Sequence, residues 1–156
     1  MAKGIVIKST GSRYRVLDEF GNIYECVLRG RFRVSGVRTT NPVAVGDHVS
    51  FDPAEGLITD LSPRRNYIIR KASNLSRESQ VIAANIDQAL LLVTVRMPAT
   101  PVEFIDRFLA TAEAYRVPVI LVINKTDLYG DEDMEQTFRI RTVYQRIGYG
   151  VLLISA

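Results

Sequence analysis

The second half of the chain alternates strand patterns with amphipathic helix patterns, and this alternation constrains the fold more than any other feature. Gln88 to Val95 and Val117 to Ile123 are continuous apolar runs of the kind found in buried parallel strands. Between them, Val102 to Tyr115 has apolar residues at three- and four-residue spacing, which predicts a helix. A second helix is predicted from Asp133 to Ile147 and a third strand from Tyr149 to Ser155. The order β-α-β-α-β predicts half of a doubly wound sheet.

Two local signals refine these helices. Thr100 followed by Pro101 predicts an N-cap and a first helical residue, and the acidic residue at position 103 completes a capping box. In the second helix, the residues predicted to face the sheet are Phe138, Val143, Tyr144 and Ile147.

The first half has a different pattern, because its apolar residues alternate with polar ones and turn residues follow at short intervals. This pattern predicts about five short strands within some 65 residues and therefore a small barrel, with an OB-type barrel favoured and an SH3-like barrel as the alternative. The predicted strands are Gly4 to Ser9, Arg13 to Leu17, Ile23 to Arg29, Asp47 to Phe51 and Leu57 to Leu61.

Three segments follow from these patterns: a barrel at 1–66, a basic linker at 67–83 and an α/β part at 84–156. Residues 1–80 hold 13 Lys and Arg against 8 Asp and Glu, whereas residues 81–156 hold 7 against 9, so contact with a polyanion is expected in the first half.

No apolar run is long enough to span a bilayer, and no secretion signal is visible. A single cysteine, Cys26, cannot form an internal disulfide and suits the reducing cytoplasm.

Chemistry concentrates in the motif Asn124-Lys125-Thr126-Asp127, which follows the second apolar run. An aspartate carboxylate can accept hydrogen bonds from both the ring N–H and the exocyclic amine of guanine, whereas adenine presents the wrong donor pattern. The asparagine amide would support the other side of the base, and the lysine stem would cover the ring. Ser155 and Ala156 follow the next strand, where the Ala156 N–H would face the guanine carbonyl. The alternative is a polar loop in which Asn124 and Asp127 only cap the following turn.

Phosphate-binding elements are missing from the sequence. A P-loop requires Gly-x-x-x-x-Gly-Lys-Ser/Thr, and the chain contains no Gly-Lys pair. The two Asp-x-x-Gly matches, Asp18 to Gly21 and Asp127 to Gly130, are interpreted as coincidences. Either the motif order is circularly permuted, with the P-loop downstream, or the domain is degenerate.

The motifs resemble those of the ribosome-small-subunit-dependent GTPases, a bacterial family of circularly permuted GTPases. The resemblance covers the whole chain; besides the guanine motif it rests on Val45-Gly46-Asp47, Arg70-Lys71 and above all Gln80-Val81-Ile82-Ala83-Ala84-Asn85-Ile86-Asp87. It implies a mixed fold, an OB-type barrel followed by a partial, permuted P-loop-GTPase-like domain. It also implies GTP/GDP binding, with Asn124, Lys125, Thr126, Asp127, Ser155 and Ala156 contacting the nucleotide. The expected partners are the small ribosomal subunit and its rRNA, with no membrane and no DNA.

The same resemblance implies that the chain is the amino-terminal part of a longer parent. Mg²⁺ with the nucleotide and a structural Zn²⁺ are expected only in that parent, and no catalytic or metal-ligating residue is assigned in this chain. The predicted RNA contacts are Arg29, Arg31, Arg33 and Arg38, which alternate with one aromatic residue. Two alternatives stay open: an OB-type RNA-binding module with a vestigial α/β half, and, less favoured, a binder of single-stranded DNA.

Overall fold

In the computed structural model, which describes residues 1–28, 42–71 and 79–156, the alternating residues of the first half form five strands that close into a barrel. The strand order is β1-β2-β3-β5-β4, and β4 pairs with β1 to complete the circle. All pairs are antiparallel except β3 with β5. The OB-type prediction is confirmed. The strands are β1 (Ala2–Thr10), β2 (Arg13–Asp18), β3 (Ile23–Leu28), β4 (His48–Asp52) and β5 (Leu57–Leu61).

The barrel interior is filled by the side chains that point inward from alternate positions of the strands. The rings of Tyr24 and Phe51 meet at a centroid distance of 5.0 Å in a tilted arrangement. Cys26 is buried, and this burial raises the pKa of its thiol, so it packs as a small hydrophobic residue of β3. The fully buried cluster consists of Val6, Tyr14, Val16, Cys26, Val43, Val49, Phe51 and Ile58.

Two further strands lie within the segment for which the sequence predicted a linker. These strands, β6 (Tyr67–Lys71) and β7 (Ser79–Ala84), pair antiparallel as a two-stranded sheet. They belong to the first of two compact units, Met1–Ile86, and the second unit is Asp87–Ala156. Residues 67–71 and 79–83 are therefore regular structure and not an extended linker, while the exact domain bounds stay a prediction.

A turn centred on Gly46 joins the barrel to β7. The Gly46 N–H donates to the Val6 carbonyl at 2.8 Å, and the Gly46 carbonyl accepts from the Asn85 side-chain amide at 2.8 Å. The Ala84 N–H donates to the Val45 carbonyl at 2.8 Å. Gly46 has a φ of +87°, and a Cβ at this position would lie 2.0 Å from the Ala84 carbonyl oxygen. Only glycine fits here, because the backbones approach too closely for any side chain.

A buried ion pair holds the same turn. Asp47 is fully buried, and its two carboxylate oxygens accept from Nε and Nη2 of Arg64, each at 2.7 Å. The Ala44 N–H also donates to this carboxylate at 2.8 Å, and Arg64 Nη2 donates to the Pro42 carbonyl at 2.9 Å. Both charges are thus paired and hydrogen-bonded, which burial requires.

The second unit is a three-stranded parallel sheet in the order β10-β9-β8. Because the chain moves across the sheet in one direction, right-handed crossovers place both helices on the same face. Accordingly, Leu91 and Val93 are buried, whereas Leu90 and Leu92 on the other face are 64% and 59% exposed. The elements are β8 (Ala89–Val93), α1 (Val102–Ala114), β9 (Val119–Ile123), a 3₁₀ turn (Thr126–Leu128), α2 (Asp131–Arg146) and β10 (Gly150–Leu153). Neither α1 nor α2 is long and apolar enough to cross a membrane, and the described part of the chain contains no other α-helix.

The prediction of which α2 residues face the sheet is largely wrong. Tyr144 is buried, but Phe138, Val143 and Ile147 are at least half exposed. The buried position about two turns before Tyr144 is Thr137, whose hydroxyl donates to the Asp133 carbonyl at 2.8 Å. This bond within the helix satisfies the hydroxyl, so a threonine can be buried. The apolar pattern had predicted Phe138 for the buried face instead.

The start of α1 also differs from the prediction. Helix α1 begins at Val102 with Pro101 as its N-cap residue. The Thr100 hydroxyl accepts from the Thr94 N–H at 3.1 Å and so closes the loop after β8. Thr100 therefore shapes this loop and does not cap the helix.

Candidate guanine-recognition site

The predicted guanine motif lies at the carboxyl edge of the parallel sheet. Neighbouring parallel strands end at the same edge, so the loop after β9 and the residues after β10 meet there. Thr126 joins them, since its N–H and its hydroxyl both donate to the Ile154 carbonyl, at 3.2 and 3.0 Å. The structure thus brings together residues that lie almost thirty positions apart in the sequence, as predicted.

Asn124 organises the loop from its centre. Its side chain is nearly buried, and its Oδ1 accepts from the Lys125 N–H at 2.7 Å and from the Ala156 N–H at 3.0 Å. Its backbone N–H donates to the Val93 carbonyl at 2.9 Å. Within the described residues the Nδ2 amine has no partner, so it can donate to the N7 or O6 acceptors of a guanine. The Ala156 N–H donates to Asn124 here, and its predicted contact with the guanine carbonyl stays a prediction.

Asp127 is held by Ser155. The Ser155 hydroxyl donates to Asp127 Oδ1 at 2.6 Å, and the side chain of Asp127 is exposed. A carboxylate accepts through two oxygens and about four lone pairs, so one serine leaves capacity for two further donors. The ring N–H and the amine of guanine are two adjacent donors of this kind. Ser155 therefore orients the carboxylate and leaves acceptor capacity for other donors.

Lys125 adopts a strained backbone conformation between these two residues. Its φ and ψ are 65° and 32°, in the left-handed region that costs a residue with a Cβ about 1–2 kcal/mol. Its ammonium donates to the Met97 carbonyl at 2.5 Å. The lysine stem thus runs from the β9 loop to the loop after β8. Strain of this kind persists only where surrounding contacts enforce it.

Tyr129 belongs to the same site, although it was not predicted from the sequence. Its hydroxyl accepts from the Val95 N–H at 2.8 Å and donates to the Asn124 carbonyl at 2.6 Å. The signal that could have revealed it is an aromatic hydroxyl two residues after the motif, where an exposed loop needs no tyrosine.

The two Asp-x-x-Gly matches have other roles in the structure. Asp18 lies in the turn between β2 and β3, where its Oδ1 accepts from the N–H groups of Phe20 and Asn22 at 2.9 and 2.8 Å. Desolvation acts to raise the pKa of Asp18, but these hydrogen bonds outweigh it and the pKa lies below its usual value. The carboxylate therefore stabilises the turn, and the match at Asp127 to Gly130 is part of the guanine loop.

The predicted RNA contacts Arg29, Arg31, Arg33 and Arg38 lie outside the described residues. Within them, the exposed face of β1 and β2 carries Lys8, Arg13 and Arg15. Lys8 and Arg15 are direct cross-strand partners, although like charges in this position destabilise a sheet. Glu25 offsets part of this repulsion through its ion pair with Arg15 at 2.5 Å. No group of three or more potential metal-ligating side chains occurs in the described ranges.

Both parts of the chain match known protein families. The family model described as RsgA GTPase matches residues 61–156, and that of the RsgA N-terminal domain matches residues 3–58. The chain is 50% identical over 99% of its length to a small ribosomal subunit biogenesis GTPase RsgA of Phocaeicola vulgatus, and 52% identical over 98% to that of Porphyromonas gingivalis. It covers 51% and 50% of these proteins, so it spans about half the length of the curated relatives it matches.

Two solved structures are also similar. YjeQ from Thermotoga maritima superposes with a TM-score of 0.73 at 32% identity, over 99% of this chain and 51% of that one. YloQ, described as a circularly permuted GTPase, gives a TM-score of 0.67 at 32% identity, over 100% and 52%.

Proposed function

Because the chain belongs to the RsgA GTPase family, we propose that it contributes guanine recognition and RNA binding to a circularly permuted GTPase that acts in the cytoplasm on the small ribosomal subunit. In this proposal the complete protein hydrolyses GTP to aid late subunit maturation. The observation that carries it is the meeting of Asn124, Asp127 and Ser155 at one edge of the sheet, with donors and acceptors that match guanine.

The phosphate end of the nucleotide has no counterpart in this chain. Phosphoryl transfer depends on a P-loop lysine and Mg²⁺, and the sequence has no Gly-Lys pair. Mg²⁺ bound with the nucleotide and a structural Zn²⁺ thus belong to the proposal for a longer parent. For this chain we propose base contacts without hydrolysis. A few hydrogen bonds of about 1 kcal/mol each, set against the cost of association, correspond to a Kd of roughly 1 mM.

Nuclear magnetic resonance titration tests guanine recognition directly. GMP should shift the amide resonances of residues 124–128 and 154–156 with a Kd of about 1 mM, and AMP should bind at least about tenfold more weakly. Asp127→Ala should abolish the preference for GMP, since it removes the acceptor of both guanine donors. Equal affinities for GMP and AMP in the unaltered chain would reject guanine recognition. An Asp127→Ala variant that keeps the preference would show that Asp127 is not the residue that reads the base.

RNA binding is supported by the charge distribution and by the resemblance of the first unit to the RsgA N-terminal domain. We propose that the four arginines at 29, 31, 33 and 38, together with the basic face of β1 and β2, contact rRNA phosphates. Binding should then weaken steeply with salt. Replacing the four arginines with alanine should abolish binding to small subunits. A control with the same net charge replaces Arg107, Arg139, Arg141 and Arg146 and should still bind; equal loss in both variants would reject this site.

One other function is compatible with the missing Gly-Lys pair: an RNA-binding module whose α/β half is vestigial. The GMP titration separates the two functions, because a vestigial half has no reason to prefer guanine over adenine.

A further inference from the structure

We infer that Tyr129 is a positioning residue for guanine recognition, an inference that rests on the function proposed above. Tyr129 contacts none of the atoms expected to face the base. It acts through Asn124 and Lys125, which it holds in the geometry described for the site.

The argument begins where the ladder between β8 and β9 ends. The last direct backbone bond between them runs from the Asn124 N–H to the Val93 carbonyl at 2.9 Å. Beyond it the Tyr129 hydroxyl connects the two segments, as an acceptor from the Val95 N–H and a donor to the Asn124 carbonyl. Val95 is only 7% exposed, so its N–H needs a protein partner. A single phenol thus extends the pairing of two parallel strands by one step.

The bridged carbonyl belongs to the peptide that precedes Lys125. Fixing this carbonyl holds the peptide plane between Asn124 and Lys125, and the Thr126 N–H bond to the Ile154 carbonyl at 3.2 Å holds the next plane. Together the two planes maintain the left-handed φ of 65°. The strain of such a residue is similar to the net value of one or two hydrogen bonds. Without the phenol, Lys125 keeps its N–H bond to Asn124 Oδ1, the bond of its carbonyl from the Leu128 N–H and the bond of its flexible ammonium to Met97, but none of these holds the Asn124 carbonyl. The strained peptide can then relax, and the Asn124 amide and the Asp127 carboxylate lose their common orientation.

Tyr129→Phe tests this role, because it keeps the ring and removes only the hydroxyl. We expect GMP to bind about tenfold more weakly, which corresponds to about one charge-assisted hydrogen bond. We also expect the ratio of GMP to IMP affinity to fall, because IMP lacks the amine that Asp127 recognises. A merely structural role would lower stability and leave this ratio unchanged.

Tyr149→Phe is the matched control. Tyr149 lies in the same unit, and within the described residues its hydroxyl has no hydrogen-bond partner. This variant should bind GMP and IMP as the unaltered chain does. If Tyr129→Phe also behaves as the unaltered chain does, the inference is wrong while guanine recognition stands. If GMP and AMP bind the unaltered chain equally, guanine recognition fails and the role of Tyr129 fails with it.

Hydrogen exchange of the Val95 amide gives a second test that needs no variant. The Val95 N–H should exchange slowly in the unaltered chain, and more slowly still with GMP, since bound base immobilises the loop that carries its acceptor. An exchange rate that GMP leaves unchanged would overturn the inference even if Tyr129→Phe did not fold.

Discussion

The turn at Gly46 allows the steric cost of a single methyl group to be separated from the cost of its backbone conformation. Gly46 and Gly21 have nearly the same φ, +87° and +86°, but different surroundings. A Cβ on Gly46 would lie 2.0 Å from the Ala84 carbonyl oxygen, whereas a Cβ on Gly21 would have nothing within 4 Å. Replacement with alanine therefore imposes the same strain at both positions and a clash at only one.

The expected magnitudes follow from this comparison. A left-handed alanine costs about 1–2 kcal/mol, which is the whole expected effect of Gly21→Ala. At Gly46 the clash pushes the turn away from Ala84 and Asn85, to which two hydrogen bonds of 2.8 Å join it, and disturbs a third bond of the same length to Val6 of β1. Losing two or three of them adds about 2–3 kcal/mol. Gly46→Ala should thus lower the free energy of unfolding of the barrel by about 3–5 kcal/mol, a large part of the stability of a small domain.

Urea unfolding measures this difference. Because the chain has two compact units, the transition of the barrel should be followed through resonances of its own core, for example Val16 and Val49. Complete unfolding of the barrel in Gly46→Ala alone agrees with the upper limit of the range. Equal losses in both variants would refute the reasoning, because they would show that the contact with Ala84 relaxes without cost.

Three further predictions concern other parts of the chain. Asp47→Asn should destabilise the barrel by about 3–5 kcal/mol in urea unfolding, since it leaves the buried Arg64 without its counter-charge. Desolvation, followed by the hydrogen bond and charge of Asp106, raises the pKa of Tyr144 above its usual value. The unfolded chain therefore releases this proton first, and the stability of the second unit should fall as the pH rises above about 10; in Tyr144→Phe this fall should be smaller. Leu92→Lys should change stability by less than about 0.5 kcal/mol and reduce binding of the dye ANS, because the side chain is 59% exposed on the uncovered sheet face.

Each of these predictions has a matched comparison. For the buried pair it is Glu25→Gln, which breaks the exposed pair with Arg15 and should cost less than about 1 kcal/mol; a similar cost for both would contradict the importance of burial. For the tyrosine it is the unaltered chain itself, since a fall as steep in Tyr144→Phe as in the unaltered chain would contradict the role of this hydroxyl. For the leucine it is Leu91→Lys on the buried face, which should be strongly destabilising.

Much of the fold was predictable because its signals are local. Strand alternation located five barrel strands to within about two residues, and the motif at 124–127 located the candidate site. The predictions were wrong where a polar side chain forms a hydrogen bond within its own helix, and where the paired residues are far apart in the sequence. Thr137 occupies a core position by bonding to its own helix, and β7 pairs with β6 although charged and polar residues dominate the segment. Tyr129 was missed for the same reason, since its partners at 95 and 124 come together only in the folded sheet.

The turn at Gly46 has a consequence for how this chain can be divided and recombined. Asn85 and Ala84 are hydrogen-bonded to Gly46 and Val45, so β7 is part of the barrel's own hydrogen-bond network although it begins 18 residues after β5 ends. A gene fusion or truncation made after residue 66 separates these partners and leaves the Val45 and Gly46 carbonyls of the turn without their donors. A cut after Ile86 keeps them together. The transferable module is therefore the barrel with its two extra strands, and a shuffled or engineered version of this protein should carry all of it.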